Sequence, residues 1–386
     1  MTRQTEAFRW AFPCTLVLLL GVLAFLTACE QNTPTVAATP ECPECPELEC
    51  PEPVSYEELW KSSAHADERA DAFVHWDEDD PPVIPEDCAK CHSRHGFVDF
   101  LGVDGTRPGR VDQVAPVGTT LTCFVCHNEA VMDMYSVAFP SGIEIAPVGA
   151  AAPCMQCHQG RSSAGAVNAA ISEAAVEDDE VSADLSYIDN HHAVAAATLL
   201  GAEVQGAYEY SGMAYHGRFV RGEEVFTCLD CHDNHSLELG SETCFDCHTV
   251  LTENIRDIRV DTTDYDGDGD VSEGIAYEIE GLQEALLAEI VMYARDTVGK
   301  PIVYESGAYP YFYIDTDGDG VTDPEEAVRD NRYDVWTPRL VRVVYNYLFV
   351  ANDRGAYAHN PDYVLQVLYD SLADIGADVT TMARAN

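Results

Sequence analysis

The sequence predicts a mainly helical protein with long loops, little β-sheet and a helical subdomain at its C-terminal end. Two observations carry that prediction. Between residues 88 and 248 five short cysteine–histidine motifs recur with few strand-like runs between them, and beyond residue 274 apolar residues recur at helical spacing. Bulk composition bounds the rest: 386 residues with 46% hydrophobic content allow two or three domains with real cores and exclude global disorder. Sixty-seven acidic against 21 basic side chains give a formal charge of −46. Such a surface excludes a nucleic-acid partner, because phosphates demand basic groups, and disfavours docking to an anionic bilayer. Partners recruited by charge would be basic proteins or cations.

Residues 1–28 read as an export signal. Arg3 and Arg9 precede an apolar run from Ala11 to Ala28 that is marginal for a spanning helix. The run ends in Leu26-Thr27-Ala28-Cys29, which resembles the bacterial lipobox. That resemblance implies cleavage before Cys29, lipidation of its thiol, and a membrane anchor made stable by several acyl chains. Residues 29–53 alternate Pro and Glu without apolar periodicity, the composition of an extended tether. Cys42, Cys45 and Cys50 lie in it, but Pro46 follows the Cys42/Cys45 pair where the later motifs have histidine. A disulfide, within or between chains, and a soft-metal clip are both open there, and oxidised thiols without a catalytic role are the favoured reading.

The body is predicted to divide into residues 54–255 and 256–386. The first part carries the five motifs: Cys88, Cys91 and His92; Cys123, Cys126 and His127; Cys154, Cys157 and His158; Cys228, Cys231 and His232; Cys244, Cys247 and His248. This is the pattern of c-type haem attachment. Two thiols form thioethers with the two porphyrin vinyl groups, and the adjoining histidine swings under the ring to ligate iron. Zinc ribbons also pair cysteines, but they do not need a histidine directly after each pair. All five pairs have one, and every cysteine beyond Cys50 is used. Successive first cysteines are 35, 31, 74 and 16 residues apart, so the last two haems must nearly touch. Arg161, Arg218 and Arg221 are candidate partners for haem propionates.

On these motifs the chain resembles multihaem (pentahaem) c-type cytochromes, specifically bacterial lipoproteins of extracytoplasmic respiration. The resemblance implies five covalent haem c groups, a fold organised around them, and a place outside the cytoplasm facing the periplasm or cell exterior.

Thirteen histidines, less five proximal ones, leave eight. Distal candidates are His65, His191, His192, His216, His235 and His359, with His75 and His95 weaker. His235 lies too close to His232 to reach over its own haem, so it is expected to cap a neighbour. His191 and His192 head a helix-forming run, and one of the two is expected to ligate. Six-coordinate haems suit electron passage because no site is open to substrate, whereas a five-coordinate haem can do small-molecule chemistry.

Two stretches after Val250 follow the D-x-D-x-D-G rule of calcium loops, in which alternate carboxylates converge on a hard cation and glycine allows the turn. The first offers Asp264, Asp266, Asp268, Asp270 and Glu273; the second offers Asp315, Asp317, Asp319, the Val321 carbonyl and Glu326. Glu326 occupies position twelve of its loop, whereas the first loop has Ile275 there and closes through Glu273 or Glu278. Structural stapling by two calcium ions is expected rather than sensing. Between and after the loops, three helices are expected. One carries Ile275, Ile279, Leu282, Leu286 and Ile290 on a single face, and the last starts at Pro361.

The function that follows is electron transfer through mostly bis-histidine haems, with redox proteins bearing basic docking surfaces as partners. Two alternatives remain: a multihaem reductase or oxidase of small nitrogen or sulfur compounds, and a filament-forming structural cytochrome that self-associates. No CxxCK variant or other unusual proximal ligand favours the enzyme.

Overall fold

A computed structural model describes residues 55–221, 227–240, 242–245, 248 and 254–386, all in the compact unit Val54–Asn386. The expectations for Cys29, for the tether and for Cys247 lie outside the described residues. Helices dominate. Among the described residues strands occur as three two-stranded antiparallel ladders: Val83–Ile84 with Ala115–Pro116, Val137–Ala138 with Glu144–Ile145, and Ile302–Tyr304 with Phe312–Ile314. Among the described residues no helix is long and apolar enough to cross a membrane.

Three long helices form the centre. Ile275–Tyr293 buries Ile279, Leu282, Leu286 and Ile290, one face at the 3.6-residue period. Pro338–Ala351 is capped by the Thr337 side chain, which accepts from the Leu340 N–H, and has proline in its first turn. Pro361–Ile375 is capped by Asn360 and ends at Gly376, whose φ of 96° is left-handed. Both are buried almost all round, because each packs on the others and on the chain before them.

The same hydrophobic core continues from this bundle into Val137, Met155, Val167, Val194, Leu200 and Tyr208. Apolar packing therefore runs across residue 256 without a break. Buried amides staple the loops to the helices. Fully buried Asn346 accepts from the Tyr208 N–H at 2.7 Å and donates to the Tyr208 carbonyl at 3.0 Å. Asn190 donates to the Tyr345 carbonyl, and Gln366 accepts from the His216 N–H. Each amide satisfies backbone groups that have left water without joining a helix or ladder. Asn346→Leu would strand both Tyr208 groups, so denaturant unfolding of the haem-loaded protein should show a loss of about 3 kcal/mol.

An ionic cluster holds the acidic segment that precedes the histidine pair. Arg342 spans Asp178 at 2.8 Å and Asp374 at 2.9 Å, and Arg339 spans Asp179 at 2.7 Å and Asp374 at 2.6 Å. The hydrogen bond from Arg342 holds the Asp178 carboxyl below its usual value of 3.8, and Arg339 does the same for Asp179. Depressed carboxylates contribute stability that is present above the unfolded value and lost as pH falls through the folded one. Acid titration should therefore release this segment below pH 3.8, read as amide exchange at residues 178–180 while the helices stay protected.

Candidate functional site

Each described motif sits on one helical turn. The turns are Glu86–His92, Cys123–Cys126, Ala152–Cys157, Cys228–Cys231 and Glu242–Phe245. In the last four motifs the histidine N–H donates to the first cysteine's carbonyl at 2.9 Å, closing the turn. Residues three and four apart share a helix face. Both thiols and the imidazole are thus presented to one side, as simultaneous thioether and iron bonds require. Local anchors differ: Thr227 and Asp230 form a capping box on the fourth motif, and proline opens the third.

The motifs are not separate in space. The Cys91 and Cys157 thiols act on each other's titration, as do those of Cys154 and Cys228, which sets the first, third and fourth motifs beside one another. Cys123 and Cys126 are exposed, so the second motif is the outermost of the four best described.

Three histidine pairs join distant parts of the chain. The His158 and His65 rings are 6.2 Å apart between centroids, His127 and His235 are 6.2 Å apart, and His92 and His191 are 5.8 Å apart. In each pair one member belongs to a motif and the other does not. A first-row metal lies about 2 Å from an imidazole nitrogen, so two imidazoles trans on one metal have centroids roughly 6 Å apart. The separations match that figure. Burial, then the neighbouring His65, pushes His158 down to about 4, and burial also lowers His65 and His92. Neutral imidazole is the form that binds a metal.

Tautomers agree with this. His92 Nδ1 donates to the Ala72 carbonyl at 2.8 Å, and His232 Nδ1 to the Leu237 carbonyl at 3.2 Å. His359 Nδ1 lies 2.8 Å from Asp353. A proton held on Nδ1 leaves the Nε2 lone pair for a metal.

Histidines 191 and 192 part company. Rather than heading the helix, which spans Ala195–Leu200, they sit on a bend where His191 has a φ of 66°. Asp189 sets that bend by accepting from the His191 N–H at 2.7 Å. His191 then faces His92, while His192 Nε2 is hydrogen-bonded to the Tyr311 hydroxyl at 2.8 Å. His216 turns Nε2 toward Asp362 at 3.8 Å, and no motif histidine pairs with its ring among the described residues. His75 packs edge-on against Trp76, and His95 lines a surface hollow with Arg94 and Asp99. Of the arginines, Arg218 is engaged by Glu203 at 3.1 Å, whereas Arg161 acts electrostatically on the Cys88 and Cys91 thiols.

The two acidic loops share one geometry. Asp264 accepts from the N–H groups of Gly267 and Gly269, and Asp315 from those of Gly318 and Gly320. Ligand atoms of Asp264, Asp266 and Glu278 lie within 4.8 Å of one another, as do those of Asp266, Asp268 and Glu273, and of Asp315, Asp317 and Glu326. Asp270 and Asp319 stay outside these clusters and close Asx-type turns on Ser272 and Val321. Buried Glu278 also meets Arg259 at 2.5 Å. A Cβ on Gly281 would collide with the Asp266 carboxylate, so that helix glycine makes room for it. One Glu273 oxygen is buried without a hydrogen bond, and burial and neighbouring carboxylates push its carboxyl up to about 7. The donor set, oxygen-only and anionic, fits a hard cation.

Sequence reasoning missed Asp353 and Tyr311, which no local pattern marks.

The chain is similar to curated polyhaem cytochromes. It is 25% identical over 227 residues to the C-type polyheme cytochrome OmcB of Geobacter sulfurreducens, covering 49% of this chain and 27% of that protein. It is 23% identical over 227 residues to the C-type polyheme cytochrome OmcC of the same species, covering 49% of this chain and 26% of that one. The chain thus spans about a quarter of the length of these relatives. No family profile matches the chain, and no solved structure does.

Proposed function

We propose that this protein transfers electrons outside the cytoplasm through five covalently bound c-type haems, most of them held between two histidines. The observation that carries the proposal is the convergence of His65, His235 and His191 on His158, His127 and His92 at separations of 5.8–6.2 Å. Each pair would hold one haem iron. Ten motif cysteines, from Cys88 to Cys247, would carry the thioethers. The similarity to polyhaem cytochromes supports the same chemistry. Haem supplies the reversible one-electron couple. The chain's part is to hold the rings close together, exclude exogenous ligands, and set each potential through ligand and burial.

Two calcium ions would staple the helical end, at Asp264, Asp266, Asp268, Glu273 and Glu278 and at Asp315, Asp317 and Glu326. Lipidation at Cys29 would hold the protein to a membrane, and the acidic surface suits basic redox partners. A reductive titration of the full chain should take up five electrons per molecule. Reoxidation by an electrode without turnover of nitrite or sulfite is the expected outcome. Steady-state consumption of either compound would support the reductase reading instead.

A further inference from the structure

Among the candidate distal histidines, His359 alone is held by a buried carboxylate. Both oxygens of Asp353 lie 2.8 Å from His359 Nδ1, and Asp353 is 6% exposed. The carboxylate is itself fixed by the Gly355 N–H, which donates to it at 3.0 Å. Gly355 also makes the seat for the ring: a Cβ there would stand 2.7 Å from His359 Cε1. His359 Nε2 makes no hydrogen bond among the described residues.

We propose that Asp353 is a positioning residue that clamps His359 at Nδ1, presents Nε2 to a haem iron, and lowers that haem's reduction potential below those of its neighbours. This rests on the reading of the motifs as haem sites. A carboxylate accepting the Nδ1 proton gives the imidazole imidazolate character and makes it a stronger donor, which favours the oxidised iron. Nδ1 of His92, His232 and His216 faces the neutral carbonyls of Ala72, Leu237 and Gly217, and the Asp189 carboxylate stands 3.6 Å from His191 Nδ1 against 2.8 Å for Asp353 and His359, so Asp353 gives the strongest push. One haem of the set is thereby made the hardest to reduce.

The test uses full-length, haem-loaded protein in four forms: parent, Asp353→Asn, Asp353→Glu and His359→Ala. Optical redox titration and low-temperature EPR are the readouts. Asp353→Asn is expected to stay low-spin with unchanged haem content while one midpoint rises. A tenfold shift in that haem's reduced-to-oxidised ratio corresponds to about 59 mV for one electron. Asp353→Glu, which keeps the carboxylate, should retain the parent potential. Asp353→Ser replaces the asparagine variant if that variant loads haem poorly, with the same upward shift expected. His359→Ala should make the same haem high-spin. A high-spin haem in His359→Ala with unchanged potentials in the neutral variants overturns the role of Asp353 and leaves His359 a ligand. A His359→Ala protein that remains wholly low-spin overturns the ligand reading itself.

Discussion

Replacing His65 with alanine is expected to turn one low-spin haem high-spin and to open it to carbon monoxide, with haem content unchanged. The reasoning starts from how firmly the histidine is placed. It follows the Tyr56–Ser62 helix, and Trp60 Nε1 donates to the Leu121 carbonyl at 3.0 Å while the Leu121 N–H donates to the His65 carbonyl at 3.2 Å. Those two bonds dock the segment on the chain leading into the second motif. The ring, however, faces His158 of the third. On the proposed reading, removing it would leave the thioethers at Cys154 and Cys157 and the His158 ligand intact, so only the sixth position would change. A five-coordinate haem binds small ligands that a six-coordinate one excludes. Carbon monoxide difference spectra of the reduced protein read the effect directly, and a spectrum identical to the parent would remove His65 from the ligand set.

Chelation of calcium should lower the melting temperature of the haem-loaded protein. At a free concentration 100 times its dissociation constant, an ion bound only to the folded state contributes about 2.7 kcal/mol per site. In the second loop Asp315 and Glu326 are both buried, and Glu326 is tied to Thr316 by two hydrogen bonds at 2.6 and 2.8 Å. Asp315→Ala would remove the loop's first ligand together with the acceptor for two glycine N–H groups. Its melting temperature should fall in calcium and respond to chelator less than the parent's. A parent protein whose melting is indifferent to both calcium and chelator would make these loops simple acidic turns.

What the sequence made legible is local. The Cys-x-x-Cys-His turn, the apolar face of Ile275–Tyr293 and the proline-started Pro361–Ile375 all follow from spacings within one or a few helical turns. The histidine pairs do not, because His65 meets His158, and His127 meets His235, across long stretches of intervening chain whose path no periodicity records. The parting of His191 from His192 depends on the Asp189 turn and a left-handed residue, which a helix-forming reading of the run overrode. Glu278, which the sequence offers as one closure of the first acidic loop, joins it from within a helix, beyond the twelve-residue frame of the motif. Asp353 has no sequence signature at all, since its meaning comes from the ring it holds.

The central claim is that histidines from outside the motifs close the axial positions of motif haems. Spin quantification by EPR on the oxidised, full-length protein, beside chemical haem quantification, tests it most directly. The account predicts five haems per chain, with low-spin signals integrating to at least three of them. A predominantly high-spin protein, or one holding fewer haems than it has motifs, would contradict it.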